Sequence, residues 1–268
     1  MEKSQLDKLE KEGIIKLKNF LNPKETETIK NILSFYSVPK GHHKSYFSTK
    51  IYHFILKLIK FDFRRFKHDL IVYNLAKKKK LSYMADKIFK QKSYLKFIDG
   101  YHSPISNVDV LPWHTDQAYH GSEKNYEDFV NPDHAHLKIF IYLTEIGPNN
   151  GCMSYIPYSH KLGYAIRKGI FEGDLEYSPY FTLNEFRDFL SIKKNKQYVE
   201  ELYSDQNLIK NFLEKTKFIE ENSDSKEFDY SLSPGDAIMF NEGGVHKGSK
   251  SLLNERLVLR YLYSIKKN

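Results

Sequence analysis

The chain has 268 residues and a hydrophobic share of 40%, enough for one large domain or two small ones with a sizeable core, and its net charge of +8 comes mostly from lysine. No apolar run reaches the roughly eighteen residues that a membrane-spanning helix needs, and no leader with a basic start, apolar middle and small-residue cleavage site opens the chain, so a soluble, cytoplasmic protein is expected. A single cysteine, Cys152, excludes an internal disulfide and a thiolate zinc cluster.

Residues 5–12 read as a short helix, and G-I-I-K-L-K-N-F from Gly13 to Phe20 as a strand. Asn22-Pro23-Lys24-Glu25 then offers an N-cap, a proline at the first helical position and an acid in the first turn. Ile29, Ile32, Leu33 and Tyr36 follow on one face, which predicts an amphipathic helix from Pro23 to Tyr36. Residues 51–91 are apolar and basic at helical spacing and predict one or two more helices. Within them Lys77–Lys80 reads as a solvated loop or helix end, or else as a contact for a phosphate-bearing ligand or nucleic acid. The run lacks the interleaved aromatics of a nucleic-acid surface, so nucleic acid is not an expected partner.

From Tyr94 onward short alternating segments take over. Leu137, Ile139, Ile141 and Leu143 alternate with Phe140 and Tyr142, the pattern of a strand buried on both faces. G-P-N-N-G at 147–151 is a turn, and Cys152–Ile156 reads as the returning strand, where Cys152 is more simply a small residue after a turn than a catalytic thiol. Residues 228–232, 236–241 and 255–265 supply three further strands, the middle one entered through S-P-G-D. The expected fold is mainly β with helices (α+β), an antiparallel sandwich or barrel with helices ahead of it. Residues 162–226, rich in lysine and glutamate and without hairpin turns, read as a helical insertion over one mouth of the barrel. With no repeat and no linker, residues 1–268 read as one elaborated domain.

The chemistry concentrates at W-H-T-D-Q-A, residues 113–118. In an extended segment His114 and Asp116 project to the same side. Such a pair can hold a metal, share a proton or form an inconsequential ion pair. The distal candidate is His246, 132 residues on (246 minus 114), in N-E-G-G-V-H-K-G-S. Two histidines and a carboxylate form the set that holds Fe(II) on one face and leaves the other positions open. Gly243 and Gly244 allow close backbone approach just before His246. Arg256 opens the next strand and has the geometry to clamp a carboxylate through two parallel hydrogen bonds.

Five segments in this order and spacing resemble the phytanoyl-CoA dioxygenase group of Fe(II)- and 2-oxoglutarate-dependent oxygenases: G-I-I-K-L-K-N-F-L-N-P-K-E, L-P-W-H-T-D-Q-A-Y, L-K-I-F-I-Y-L-T-E-I-G-P-N-N-G-C-M-S-Y-I-P-Y-S-H-K, S-P-G-D-A-I-M-F-N-E-G-G-V-H-K-G-S and R-L-V-L-R-Y-L-Y. The resemblance implies a double-stranded β-helix, or jelly roll, with supporting helices. It implies Fe(II) on His114, Asp116 and His246, with 2-oxoglutarate and O2 as cosubstrates and Arg256 on the far carboxylate of 2-oxoglutarate. Arg260 shares a strand face with Arg256 and is the alternative clamp. Where relatives place a serine two after the distal histidine, Gly248 stands here, and Ser249 is the nearest candidate for that contact. Halogenating relatives replace the carboxylate by a small residue, so Asp116 implies hydroxylation or a related oxidation.

The remaining residues carry plainer readings. Tyr142 and Tyr119 are candidates for the pocket wall, Tyr142 on the cosubstrate side. Trp113 is equally a substrate contact or a core residue. His120, His134 and His136 are expected in surface or loop roles, and His160 is expected to pack and hydrogen-bond rather than ligate. The expected reaction is hydroxylation of an unactivated C–H bond of a small molecule, acidic or phosphate-bearing, with release of succinate and CO2. Specificity would reside in residues 40–50 and in the insertion. The alternatives are an oxygenase acting on a macromolecule and a metal-binding jelly-roll module without turnover.

Overall fold

In the computed structural model, residues 2–37, 63–116, 136–176, 178, 181–200, 207–222 and 225–265 are described. The helices among them are α1 (Lys3–Glu12), α2 (Pro23–Ser37), α3 (Phe63–Lys78), α4 (Leu81–Phe89), α5 (Leu162–Phe171), α6 (Leu183–Ser191), α7 (Lys193–Glu200) and α8 (Asn207–Glu221). The strands are β1 (Ile14–Leu17), β2 (Ser93–Ser103), β3 (Leu111–His114), β4 (His136–Tyr142), β5 (Met153–Tyr155), β6 (Asp229–Tyr230), β7 (Ala237–Asn241), β8 (His246–Gly248) and β9 (Arg256–Ile265). They form a five-stranded sheet in the order β1-β7-β4-β9-β2 and a four-stranded sheet in the order β3-β8-β5-β6. The pairing is antiparallel and nested: β2 pairs with β9, β3 with β8, β4 with β7 and β5 with β6.

The alternation in β4 explains how the layers assemble. Every residue of the strand is buried. Leu137, Ile139 and Ile141 enter a core shared with Leu9 of α1, Ile29, Ile32 and Leu33 of α2, and Leu75 of α3. Phe140 and Tyr142 enter a second core with Tyr155, Ile238, Phe240 and Val258. β9 divides in the same way, with Leu257, Leu259, Tyr261 and Tyr263 on the helix side and Val258 in the second core. Side chains that alternate across a pleat thus meet helices on one face and the other sheet on the opposite face.

The start of α2 carries the predicted signals in reciprocal form. Glu25 donates its backbone N–H to Asn22 Oδ1 at 2.9 Å, and Asn22 donates its own to Glu25 Oε2 at 3.0 Å. Glu25 also receives Lys78 at 2.5 Å and Lys79 at 2.8 Å, which ties the end of α3 to the start of α2. Lys77–Lys80 is therefore a helix end and the turn after it, with two of its four lysines committed to an internal carboxylate, and it lends no support to an acidic ligand. Residues 40–50 and 51–62 lie outside the described residues. No helix among the described residues is long and apolar enough to cross a membrane.

The predicted insertion contains α5 to α8, which build a third core from Leu162, Ile166, Phe186, Leu190, Val199 and Phe212. Ile156 and Val245 join it from the segments flanking β5 and β8, and half-buried Trp113 packs against it. The helices thereby back the four-stranded sheet from the side away from the second core.

Gly13 ends α1 with φ of +81°, in the left-handed region, and a Cβ there would lie 2.5 Å from the Tyr155 hydroxyl oxygen and 2.6 Å from His160 Nδ1. Gly13→Ala is expected to lower the unfolding free energy by about 2 kcal/mol or more, through backbone strain and collision with fully packed rings. Urea denaturation of the purified variant measures this.

Candidate metal centre

Sheet register brings the two histidines together. In the antiparallel pair of β3 and β8, His114 stands opposite His246, and their ring centroids are 4.3 Å apart. Asp116 follows two residues after His114. Its Oδ2 lies 3.0 Å from His246 Nε2, and its Oδ1 lies 3.7 Å from His114 Nε2. One ligand atom from each of the three residues falls within 4.8 Å of the others.

Both imidazoles are oriented by the backbone two residues earlier. His114 Nδ1 lies 2.7 Å from the Pro112 carbonyl, and His246 Nδ1 lies 2.8 Å from the Gly244 carbonyl. A carbonyl only accepts, so each Nδ1 carries a proton and each ring turns its Nε2 toward the centre. Burial, and then the neighbouring His246, hold the His114 pKa down to about 4. Burial opposes ionisation of Asp116, but Lys138 and His246 outweigh it and keep the carboxyl well below the usual range. The set is thus two imidazole nitrogens and one carboxylate facing each other across a few ångströms. Two imidazole nitrogens and a carboxylate converging at this spacing are suited to a cation between them, and this donor chemistry fits Fe(II).

Packing makes the arrangement rigid. Tyr155 stacks on His246 with ring centroids 6.2 Å apart and an interplanar angle of 25°, while Phe240 meets it edge-on at 5.3 Å. The Tyr155 hydroxyl donates to the Asn241 carbonyl at 3.1 Å. A Cβ on Gly244 would lie 1.9 Å from that hydroxyl oxygen, so the close approach expected at Gly243-Gly244 is needed at Gly244.

Arg256 opens β9 and is buried, with its guanidinium 5.7 Å from the centre of the Tyr142 ring. Its Nε and the Tyr142 hydroxyl are both buried without a hydrogen-bond partner among the described residues. Burial pushes the Tyr142 phenol up to about 12, with Arg256 opposing the shift, so Tyr142 stays a neutral donor. Gly248 brings this pair to the metal strand: a Cβ there would sit 3.2 Å from Arg256 Nη1. Arg260, the alternative clamp, is committed elsewhere. Its Nε lies 2.6 Å from Asp99 Oδ1, its Nη2 meets Asp99 Oδ2, and its guanidinium lies 4.5 Å from the ring centres of Phe97 and Tyr101.

The remaining expected residues fall out differently. Ser249 does not face Arg256 and Tyr142; its hydroxyl lies 3.3 Å from Ser154 Oγ and 3.4 Å from Cys152 Sγ. The reason is the strand period, which puts Ser249 on the face opposite His246 and Gly248. His136 is no surface residue: it is 1% exposed and its Nδ1 pairs with Glu242. Trp113 points away from His114, and Lys247 lies 5.5 Å from its ring centre. Cys152 is fully buried, and burial raises its thiol to about 11, which suits a packing residue rather than a nucleophile. Tyr119, His120 and His134 lie outside the described residues.

The sequence reading missed Lys138 and Glu242, which are 5% and 2% exposed and lie behind Asp116. The signal was present, because a lysine inside a strand patterned for burial on both faces demands a buried acid.

The model of the phytanoyl-CoA dioxygenase (PhyH) family matches residues 9–252. The chain belongs to that family, and it is an iron- and 2-oxoglutarate-dependent oxygenase. No curated protein matches its sequence. Among solved structures, HygX from Streptomyces hygroscopicus with nickel, 2-oxoglutarate and hygromycin B bound is 16% identical, with a TM-score of 0.56 over 99% of this chain and 88% of that one. AviO1 from Streptomyces viridochromogenes Tue57 is 14% identical, with a TM-score of 0.53 over 97% of this chain and 93% of that one. EvdO2 from Micromonospora carbonacea var. aurantiaca, complexed with 2-oxoglutarate, is 12% identical, with a TM-score of 0.52 over 99% and 91%. At these identities the likeness is one of fold.

His160 packs as expected and does not join the triad. It is 7% exposed, and burial, followed by the nearby Lys161, lowers its pKa from 6.5 to about 4 despite a hydrogen bond with the Glu10 backbone. The unfolded chain therefore binds a proton at this site at a higher pH than the folded one. Stability is fully present above about pH 6.5 and falls as the pH drops toward 4, by about 3 kcal/mol for this group. Urea titrations of the metal-free protein between pH 7 and pH 4 measure the slope, which is expected to be shallower in His160→Gln.

Proposed function

We propose that the chain oxidises an unactivated C–H bond of a small molecule, most simply by hydroxylation, while 2-oxoglutarate is converted to succinate and CO2. In this reading residues 1–268 form one domain, and the nested strand pairing is that of a double-stranded β-helix, or jelly roll. His114, Asp116 and His246 hold Fe(II). When bound, the iron and 2-oxoglutarate would supply electrons that reduce O2, one oxygen atom ending in succinate and the other in the oxidised substrate.

The protein's own contribution is position and exclusion. The two Nδ1–H donors fix the ring planes, so both Nε2 atoms stay aimed at one point without reorganisation. Arg256 and the Tyr142 hydroxyl grip the far carboxylate of 2-oxoglutarate. Phe140 and Phe240 line the space between Tyr142 and His246 with apolar rings, which strengthens the arginine–carboxylate attraction by keeping water out. No side chain is needed as a general acid or base.

The observation that carries the reading is the juxtaposition of the triad with a buried arginine and tyrosine that hold unspent hydrogen-bonding atoms. A small-molecule substrate is supported by HygX, crystallised with hygromycin B, on a fold that covers 99% of this chain. The soluble, cytoplasmic setting and the helical insertion as a specificity element belong to the same proposal.

Anaerobic titration tests it. Addition of Fe(II) and then 2-oxoglutarate should produce the weak visible charge-transfer band of the chelate. His114→Ala or His246→Ala should lose Fe(II) retention, and normal iron content in both would sink the ligand assignment. Arg256→Ala should keep iron while weakening 2-oxoglutarate binding by about a hundredfold, the scale of a charge-assisted pair lost from a buried site. Arg260→Ala should leave 2-oxoglutarate affinity near that of the unmodified protein; the opposite result would exchange the roles of the two arginines.

A further inference from the structure

Behind Asp116 runs a chain of buried ion pairs that the ligand count does not require. Lys138 leaves β4 on the same face as Phe140 and Tyr142. Its Nζ lies 2.5 Å from Asp116 Oδ2 and 3.3 Å from Glu242 Oε2, and the other oxygen of Glu242 meets His136 Nδ1. Backbone bonds bind the same segments together. Asp116 N–H donates to the Glu242 carbonyl at 3.2 Å, Glu242 N–H to the His136 carbonyl at 3.2 Å, and Thr115 Oγ1 to the Gly243 carbonyl at 3.0 Å. Three stretches far apart in sequence thus meet at one carboxylate.

We propose that Lys138 is a positioning residue for Asp116, fixing how that carboxylate faces the metal. An aspartate two residues beyond the end of a strand has two equivalent oxygens and a soft terminal torsion. The ammonium holds Oδ2, the oxygen that lies 3.0 Å from His246 Nε2, while Oδ1 lies 3.7 Å from His114 Nε2, so one contact fixes the torsion of the carboxylate and its orientation toward both imidazoles. The same ammonium would repel a dication if it stood alone. Glu242 contacts it from the far side, offsets that charge and keeps the side chain from turning away. Buried charges of this kind are poor sources of stability compared with apolar packing, and specificity of arrangement is what they supply here. The inference rests on the assignment of His114, Asp116 and His246 as ligands.

Co(II) is the probe, because its visible bands report the number and geometry of donors without turnover. The metal-free protein is titrated with Co(II), and affinity and spectrum are compared among variants. Lys138→Met should bind Co(II) about tenfold or more weakly, the scale of lost outer-shell support, and its visible spectrum should change shape. Lys138→Arg, which keeps the charge and the donors, should recover most of both. Glu242→Gln should fall between Lys138→Met and the unmodified protein. Unchanged or tighter Co(II) binding in Lys138→Met, with an unchanged spectrum, overturns the proposal. If Lys138→Met does not fold, as judged by circular dichroism, Glu242→Gln decides: affinity and spectrum like those of the unmodified protein overturn the proposal. Asp116→Ala separates the two levels. If it binds Co(II) normally the ligand assignment fails, whereas loss of binding there beside normal binding in Lys138→Met removes only the role of Lys138.

Discussion

The antiparallel register of β3 against β8 is the constraint from which the site follows. It sets His114 opposite His246. A slip of one residue would turn one of the two to the outer face, because side chains alternate. Everything near the pair works to hold that register. Gly244 admits the Tyr155 ring beneath His246, and Thr115 reaches across to the Gly243 carbonyl. Two backbone carbonyls, at Pro112 and Gly244, set the ring planes in the same way on the two strands.

Charge is distributed unevenly over the two ends of the inter-sheet space. Near the triad, Lys138, Asp116, Glu242 and His136 form a connected set in which each charge meets an opposite one or a hydrogen-bonding partner. At the other end Arg256 and Tyr142 are buried with unsatisfied atoms facing each other's neighbourhood. Buried polar atoms left unpaired are costly, and proteins retain them where a ligand completes the bonding. The apolar rings of Phe140 and Phe240 lie between, 5.1 Å apart at their centroids. The molecule thus carries a satisfied network that orients one ligand and an unsatisfied pair suited to receive another.

Much of this was legible in the sequence. The alternation in residues 137–143 gave the two-sided burial of β4, since a strand sandwiched between helices and a second sheet has no polar face to display. Asn22-Pro23-Lys24-Glu25 gave the start of α2 because capping is a local matter of adjacent atoms. His114 and Asp116 were placed together by their spacing alone. His246 needed the glycines before it and the family-like segment around it. The choice of Arg256 over Arg260 could not be read from spacing, because both lie on one face of one strand. Asp99, contributed by β2, engages Arg260 and leaves Arg256 as the proposed clamp.

What the sequence by itself determined is therefore whatever depends on period, capping and turn chemistry: the helices, the strand faces, and the candidate ligands within each strand. Only the tertiary structure decided which charges neutralise one another. It set the Ser249 hydroxyl beside Ser154 and Cys152, buried His136 against Glu242 and set Lys138 on Asp116. The physical reason is that ion pairs form between atoms a few ångströms apart in space, and the sequence positions of those atoms, such as 116, 138 and 242, carry no local pattern that links them.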